Sequence, residues 1–182
     1  MSGDMHPHTI RASLYTAEQR RRRDATPWTF VQGVLAIVQF AVFLVSLALV
    51  LHYLLTGEGF LAATISVVAK TIALYAIMVT GSIWEKVVFD RYLFAPAFYW
   101  EDAVSMLVLA LHTAYLLALL FHWLPERGQM LLALAAYAAY AANAAQFVFK
   151  FRTARLETPD TRAVDVISQN PSVTTLRWGA AR

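Results

Sequence analysis

ATPWTFVQGVLAIVQFAVFLVSLALVLHYLLTG, residues 25–57, runs without a single charged side chain. About 20 apolar residues are enough for a helix to cross the hydrocarbon core of a bilayer. Three further stretches read the same way. Residues 59–84 carry one charge, Lys70, and residues 103–125 and 128–149 carry none. These segments are apolar on all sides, whereas a helix of a soluble bundle is apolar along one stripe. Four membrane-spanning helices are therefore expected, at about 30–55, 61–84, 102–123 and 129–149. The expected fold class is all-α, a polytopic four-helix transmembrane bundle. Trp28, Tyr53, Trp84, Tyr99, Trp100 and Trp123 fall at span ends, where amphipathic rings sit at the lipid–water interface.

Charge is scarce and unevenly placed. Of the 182 residues 59% are apolar and only 15% charged, against about 25% in an ordinary soluble domain. Residues 1–24 hold eight charges and residues 150–182 hold nine, leaving ten for the 125 between. This distribution excludes a disordered chain, a collagen-like chain and an ordinary cytosolic enzyme. The net charge of +3 belongs to the flanks, so it marks no nucleic-acid-binding face. The absence of cysteine excludes disulfides, zinc fingers, iron–sulfur clusters and thiol catalysis.

Three parts follow: a basic segment 1–24, a transmembrane domain 25–155, and a polar tail 156–182 expected to be disordered. The first apolar run is too long for a cleavable signal and no small-residue cleavage site follows it, so it is expected to stay as an anchor. Arg20 to Arg23, Lys86, Arg91, Lys150, Arg152 and Arg155 lie on one side, and only Arg127 on the other. The positive-inside rule then puts both termini and the 85–102 segment in the cytoplasm, with very short outer loops at 56–59 and 124–128. The fourth span, LLALAAYAAYAANAAQ at 131–146, is rich in alanine, which lets neighbouring backbones approach closely.

The segment EKVVFDRYLFAPAFYWED, 85–102, holds six of the ten middle charges among many aromatic rings. A plain solvent loop would be small and polar. This one is expected to lie in the interface or fold back on the bundle. Carboxyl groups beside aromatic surface are poorly solvated, which favours their neutral form and suits them to general acid catalysis. Glu85, Glu101 and Asp102 are the acid–base candidates. A purely structural reading stands beside that: Glu85 with Lys86 and Asp90 with Arg91 form interfacial ion pairs, and Asp102 caps the third span.

Along the third span Glu101, Ser105, Val108, His112 and Tyr115 recur at intervals of 4, 3, 4 and 3, one helical face. That stripe leads from the acidic segment to His112, about 16 Å deeper. Lys70 lies about 14 Å from the outer end of the second span, and Gln39 and Asn143 occupy the first and fourth. Polar groups in lipid normally face the bundle interior, so these four are expected to converge, as a structural network or around a ligand. His52 and His122 fall at outer ends, and His6 and His8 in the N-terminal segment.

EKVVFDRYLFAPAFYWEDAVSMLVLALHTAY at 85–115 resembles the core signature of the 3-vinyl bacteriochlorophyllide hydratases. LYTAEQRRRRDATPWTFVQGVLA at 14–36, VVAKTIALYAIMVTGSIWEK at 67–86 and QMLLALAAYAAYAANAAQF at 129–147 are similar to the family's other segments. The resemblance covers roughly residues 14–155. It implies a hydro-lyase of bacteriochlorophyll a biosynthesis that hydrates the ring A vinyl group of chlorophyllide or bacteriochlorophyllide to 1-hydroxyethyl, with no cofactor. It assigns no catalytic residues.

The chemistry suits the residues. Protonation of the terminal alkene carbon gives a cation on the adjacent carbon, delocalised into the macrocycle, and water adds there. An acid and a base are needed. Glu101 or Glu85 is expected as general acid, with Asp102 or the other glutamate handling the water. Tyr92, Phe98, Tyr99 and Trp100 are expected to line the pigment. His112 would ligate the substrate magnesium or orient the acid, and Lys70 would hold the propionate. The implied partners are the pigment, membrane lipid, other enzymes of the pathway and a second copy of the chain, in a bacterial cytoplasmic or intracytoplasmic membrane. The competing reading is a non-catalytic pigment-, haem- or quinone-binding or assembly protein. Bis-histidine haem needs two facing histidines, and only His112 lies within a span.

Overall fold

The computed structural model describes residues 14–156, and contacts divide the chain into two compact units, 15–147 and the flanks 1–14 with 148–182. The unit 15–147 carries the fold discussed below. Among the described residues, secondary structure is entirely helical: α1 (Ala17–Ala25), α2 (Pro27–Thr56), α3 (Phe60–Phe89), α4 (Tyr99–Leu120) and α5 (Glu126–Leu156). The tail expected at 156–182 lies outside the described residues apart from Leu156, the last residue of α5.

Helices α2 to α5 are long and apolar enough to cross a membrane. In the most apolar window of each, only 22–28% of residues are buried in the protein. The remainder present Phe30, Ile37, Leu55, Leu61, Ile72 and Val79 outward, each more than 60% exposed. An apolar exterior on this scale belongs in lipid, where only helices and closed barrels satisfy their own backbone polar groups. The chain is a multi-pass membrane protein.

Local chemistry explains the element ends. Thr16 and Gln19 form a capping box: the threonine hydroxyl accepts from Gln19 N (3.2 Å), and the glutamine carbonyl accepts from Thr16 N (2.9 Å). This starts α1, a polar helix within the stretch expected only as a basic segment. Thr26 and Pro27 then stop α1 and open α2, because proline is favoured at the first helical position. Gly57 ends α2 at φ 78°, a left-handed conformation that suits glycine.

Helix α3 runs to Phe89, five residues past the expected end, and α4 starts at Tyr99 instead of 102. Val88 and Glu85 share the buried face of α3, so packing carries the helix beyond its most apolar part. The segment read as one loop over 85–102 is thus two helix ends joined by a nine-residue connection, 90–98. Asp90 and Phe94 in that connection adopt φ of 63° and 58°.

Buried positions recur every three or four residues along α2 and α4. Phe43, Val50, Tyr53, Ala63, Val67, Leu74, Val108, Tyr115, Met130, Ala133, Tyr137 and Tyr140 make one core. Polar ties cross it. Ser46 of α2 bonds both Ser66 of α3 (2.7 Å) and the Tyr137 hydroxyl of α5. Gln32 donates to Thr80 (2.7 Å), Tyr75 meets Thr113 (2.8 Å), and Tyr53 donates to Glu126 (3.1 Å). Between helices in lipid such bonds contribute about 0.6–1.7 kcal/mol each.

Candidate functional site

The site is built where α3 ends and α4 begins. Asp102, in the first turn of α4, accepts Phe94 N–H at 2.7 Å, and Glu85, in the last turns of α3, accepts Ala95 N–H at 3.4 Å. The 90–98 connection therefore folds back over both carboxyl groups. The left-handed turn at Phe94 brings these two successive N–H groups to the two acids. The Glu85 and Asp102 side chains also face each other as a pair of interacting carboxyl groups. Two carboxylates have no donor between them, so a hydrogen bond across the pair requires a proton on one of them. Both are buried, and so is Glu101 beside them.

An aromatic cluster seals one side. Phe98, 1% exposed, lies among Tyr15, Trp84, Phe89 and Phe147 with ring centroids 5.7–6.3 Å apart. Trp84 is fixed in turn by its indole N–H to Thr29 (3.0 Å). Arg23 of α1 sits 4.9 Å above the Tyr15 ring. Burial pushes the Tyr15 phenol above its usual range, opposed by the Arg23 charge.

The sequence candidates separate into three groups. Glu85 and Asp102 come together across α3 and α4, and Glu101, the residue before Asp102, is also buried. Of the four aromatic residues, Phe98 is interior, while Tyr92, Tyr99 and Trp100 face outward at 63%, 50% and 73% exposure. Tyr99 and Trp100 meet edge to face at 5.6 Å. Lys70 and His112 meet each other deeper in the bundle, away from the carboxyl pair.

The ion pairs of the structural reading are exchanged. Lys86 bonds Asp90 at 2.7 Å, one turn apart on α3, while Glu85 turns inward to Asp102. The Lys86 ammonium holds the exposed Asp90 carboxyl below its usual range. Asp102 accepts from Phe94 N–H, and Phe98 takes the cap position of α4.

The whole α4 stripe from Glu101 to Tyr115 is buried. His112 Nδ1 donates to the Val108 carbonyl (2.8 Å), so its Nε2 accepts from Lys70 Nζ (2.9 Å). Lys70 also lies 4.0 Å from the centroid of the Tyr140 ring. Asn143 Nδ2 donates to Ser105 Oγ (2.8 Å) on the same stripe. Of the four polar residues expected to converge, Lys70 and His112 form one pair, Asn143 pairs with Ser105, and neither amide atom of the buried Gln39 has a partner among the described residues.

Three contributors were not singled out from the sequence: the backbone N–H groups of Phe94 and Ala95, the Tyr140 ring against Lys70, and Tyr15. Tyr137 and Tyr140, three apart in an alanine-rich span, were the available signal for the second. The first depends on a backbone turn without a glycine.

Shallow hollows of about 260 and 250 Å³ lie elsewhere, at Tyr53–Gly57 with Arg127 and against Ala41, Val45, Ser66 and Ala69. Among the described residues no cluster of three or more His, Asp or Glu is spaced to hold a metal ion.

The family described as 2-vinyl bacteriochlorophyllide hydratase matches residues 15–153, nearly the whole described chain. The chain belongs to the 2-vinyl bacteriochlorophyllide hydratase family. Its matched region contains every residue of the carboxyl site. The 2-vinyl bacteriochlorophyllide hydratase of Rhodobacter capsulatus is 63% identical over 147 residues, 81% of this chain and 85% of the relative. The hydratase of the same name from Cereibacter sphaeroides is 65% identical over 144 residues, 79% of this chain and 89% of the relative. The locant in these names is 2, against 3 in the resemblance drawn from the sequence; both denote hydration of a bacteriochlorophyllide vinyl group. No solved structure matches the chain.

Proposed function

We propose that this chain adds water across the vinyl group of a bacteriochlorophyllide or chlorophyllide, with the Glu85–Asp102 carboxyl pair as its acid and base. Membership of the hydratase family makes it a hydro-lyase of bacteriochlorophyll biosynthesis. The observation that supports the mechanism is the close approach of two buried carboxyl groups, Glu85 in the last turns of α3 and Asp102 in the first turn of α4. Two buried carboxyl groups side by side favour retaining a proton, the condition for a carboxyl group to act as an acid near neutral pH.

The proton passes to the terminal vinyl carbon as the alkene π bond opens. Positive charge develops on the adjacent carbon and spreads into the conjugated ring. A water oxygen bonds to that carbon and gives one proton to the carboxylate just formed. The pair regains its proton, and the pigment gains one H2O as a 1-hydroxyethyl group. No electron leaves or enters.

The reaction needs the 90–98 connection to release one of its two N–H bonds so that the vinyl group can reach the acids. Tyr92, Tyr99 and Trp100 offer the flat pigment an aromatic surface at the membrane face. Glu101, next to the pair, orients the carboxyl that receives the water proton. His112 and Lys70 already occupy each other's polar atoms. They act by holding α3 against α4 so that Glu85 meets Asp102; a magnesium contact at His112 Nε2 would require their bond to break. Both chain termini and the carboxyl end of the bundle lie in the cytoplasm of a bacterial cell, by the Lys/Arg asymmetry. A second copy of the chain or a neighbouring pathway enzyme completes the wall around the pigment.

The test is to supply membranes containing the chain with vinyl pigment in 18O-labelled water. A product heavier by one labelled water supports hydration. Tight pigment binding with no mass gain identifies a carrier instead and overturns the reading.

A further inference from the structure

Gln39 on α2 is 2% exposed, yet among the described residues neither its amide nitrogen nor its amide oxygen has a hydrogen-bond partner. Asn143 on α5 gives its amide nitrogen to Ser105, but its buried Oδ1 likewise has none. An amide atom buried without a hydrogen-bond partner is destabilising. Native proteins keep such groups when something else completes them.

The register puts these atoms at one depth. Phe43 packs on Tyr140 at 4.8 Å, and Ser46 bonds Tyr137, so α2 and α5 run antiparallel. Gln39 is four residues before Phe43 and Asn143 three after Tyr140, one turn in the same direction along the bundle. Gln39 shares the buried face of α2 with Phe43 and Ser46. Ser105, which holds Asn143, lies on the buried face of α4 one turn beyond Asp102. That is about 4.5 Å along the helix axis from the carboxyl pair.

We propose that Gln39, Asn143 and Ser105 form a buried water-binding site that supplies the water added in the reaction. A water donates two hydrogen bonds and accepts others, and needs two to four polar partners to stay inside a protein. The unpartnered Gln39 amide offers both a donor and an acceptor, and Asn143 Oδ1 a second acceptor. The Ser105 hydroxyl, accepting from Asn143, keeps its own proton to give. Gln39 and Asn143 thus lie one turn along from the Phe43–Tyr140 contact, each with a polar atom left to complete. Hydration of an alkene in lipid must draw water from somewhere. The α4 stripe carries it from this site towards Asp102, which takes its proton as the oxygen bonds to carbon. Ser105, Asn143 and Gln39 are positioning residues, and this role rests on the hydratase reading above.

Two measurements test it. In bilayers without pigment, water-edited solid-state NMR of the 15N-labelled chain reads transfer from water to side-chain amides, with Gln39→Leu and Asn143→Leu identifying the two signals. The site predicts transfer several-fold faster than to backbone amides at the same depth. Transfer no faster than those amides overturns the proposal, whether or not the wild-type chain turns over pigment.

In turnover assays, Gln39→Leu and Ser105→Ala are expected to lower kcat at least tenfold with KM within twofold. Ser105→Thr, which keeps the hydroxyl, should stay within threefold of wild type. Hydrated amides with unchanged kcat in both variants would also overturn it. If either variant fails to fold, the wild-type NMR decides. Failure of the wild type to label its product sinks the hydratase reading and leaves the NMR result to stand alone.

Discussion

Glu85→Gln and Asp102→Asn each replace one carboxyl of the pair with an amide of the same shape. The amide oxygen can still accept from Ala95 N–H, now at 3.4 Å, or from Phe94 N–H, now at 2.7 Å. The amide nitrogen can donate to the remaining carboxylate, replacing the contact between the two acids. The 90–98 connection therefore keeps its anchors, and the proton available for transfer is what disappears. General acid–base catalysis contributes about 10²–10⁴-fold, or about 2.7–5.4 kcal/mol of barrier. We expect kcat to fall by that factor in both variants, with KM within about twofold because the outward aromatic residues are untouched. Glu101→Gln, one residue from the pair, should lower kcat less than tenfold. The assay is 1-hydroxyethyl product formed in membranes at saturating vinyl pigment, separated and weighed by mass spectrometry. If either pair variant keeps more than about a tenth of wild-type kcat at normal KM, the pair is not the acid and base. If Glu101→Gln loses more than both, the acid is Glu101.

Three other outcomes follow from the packing. His112→Leu strips the fully buried Lys70 amine of its acceptor, losing about 0.6–1.7 kcal/mol for the bond and about 1–3 for the orphaned group. The double variant with Lys70→Met should cost less than the two singles together, measured by reversible unfolding in mixed detergent micelles. Strict additivity would show that the two side chains are not coupled.

Trp100→Ala is expected to raise KM for pigment up to about tenfold, the worth of about 1.4 kcal/mol of stacking, with a smaller effect on kcat. An unchanged KM would put the pigment elsewhere. Asp90 ends α3 with φ 63°, so Asp90→Gly should leave the unfolding midpoint near wild type and Asp90→Val should lower it. Because Lys86 depresses the Asp90 carboxyl, their pair stabilises above the ordinary carboxylate range. That contribution is lost as pH falls through the lowered value. Lys86→Ala should remove this small acid-side loss of stability and leave the midpoint at neutral pH almost unchanged.

Four spans were legible from uncharged stretches such as 25–57, because bilayer thickness sets helix length and excludes charge without reference to any neighbour. The buried stripe of α4 was legible for a related reason. Four of the five positions on that helical face, Glu101, Ser105, His112 and Tyr115, carry polar side-chain atoms that lipid would not accept. That 85–102 gathers most of the charges of the middle of the chain was readable directly, and it carries the resemblance to the hydratases.

Its partners were not. Glu85 sits beside Lys86 in the sequence, but as the helix continues to Phe89 it faces Asp102 on another element, and Lys86 reaches Asp90 instead. Pairing of Lys70 with His112, and of Asn143 with Ser105, likewise depends on the relative rotation and depth of whole helices. Composition and periodicity say which face of a helix turns inward. Only the packed bundle decides which inward groups meet, because the register between helices is set by many side chains at once.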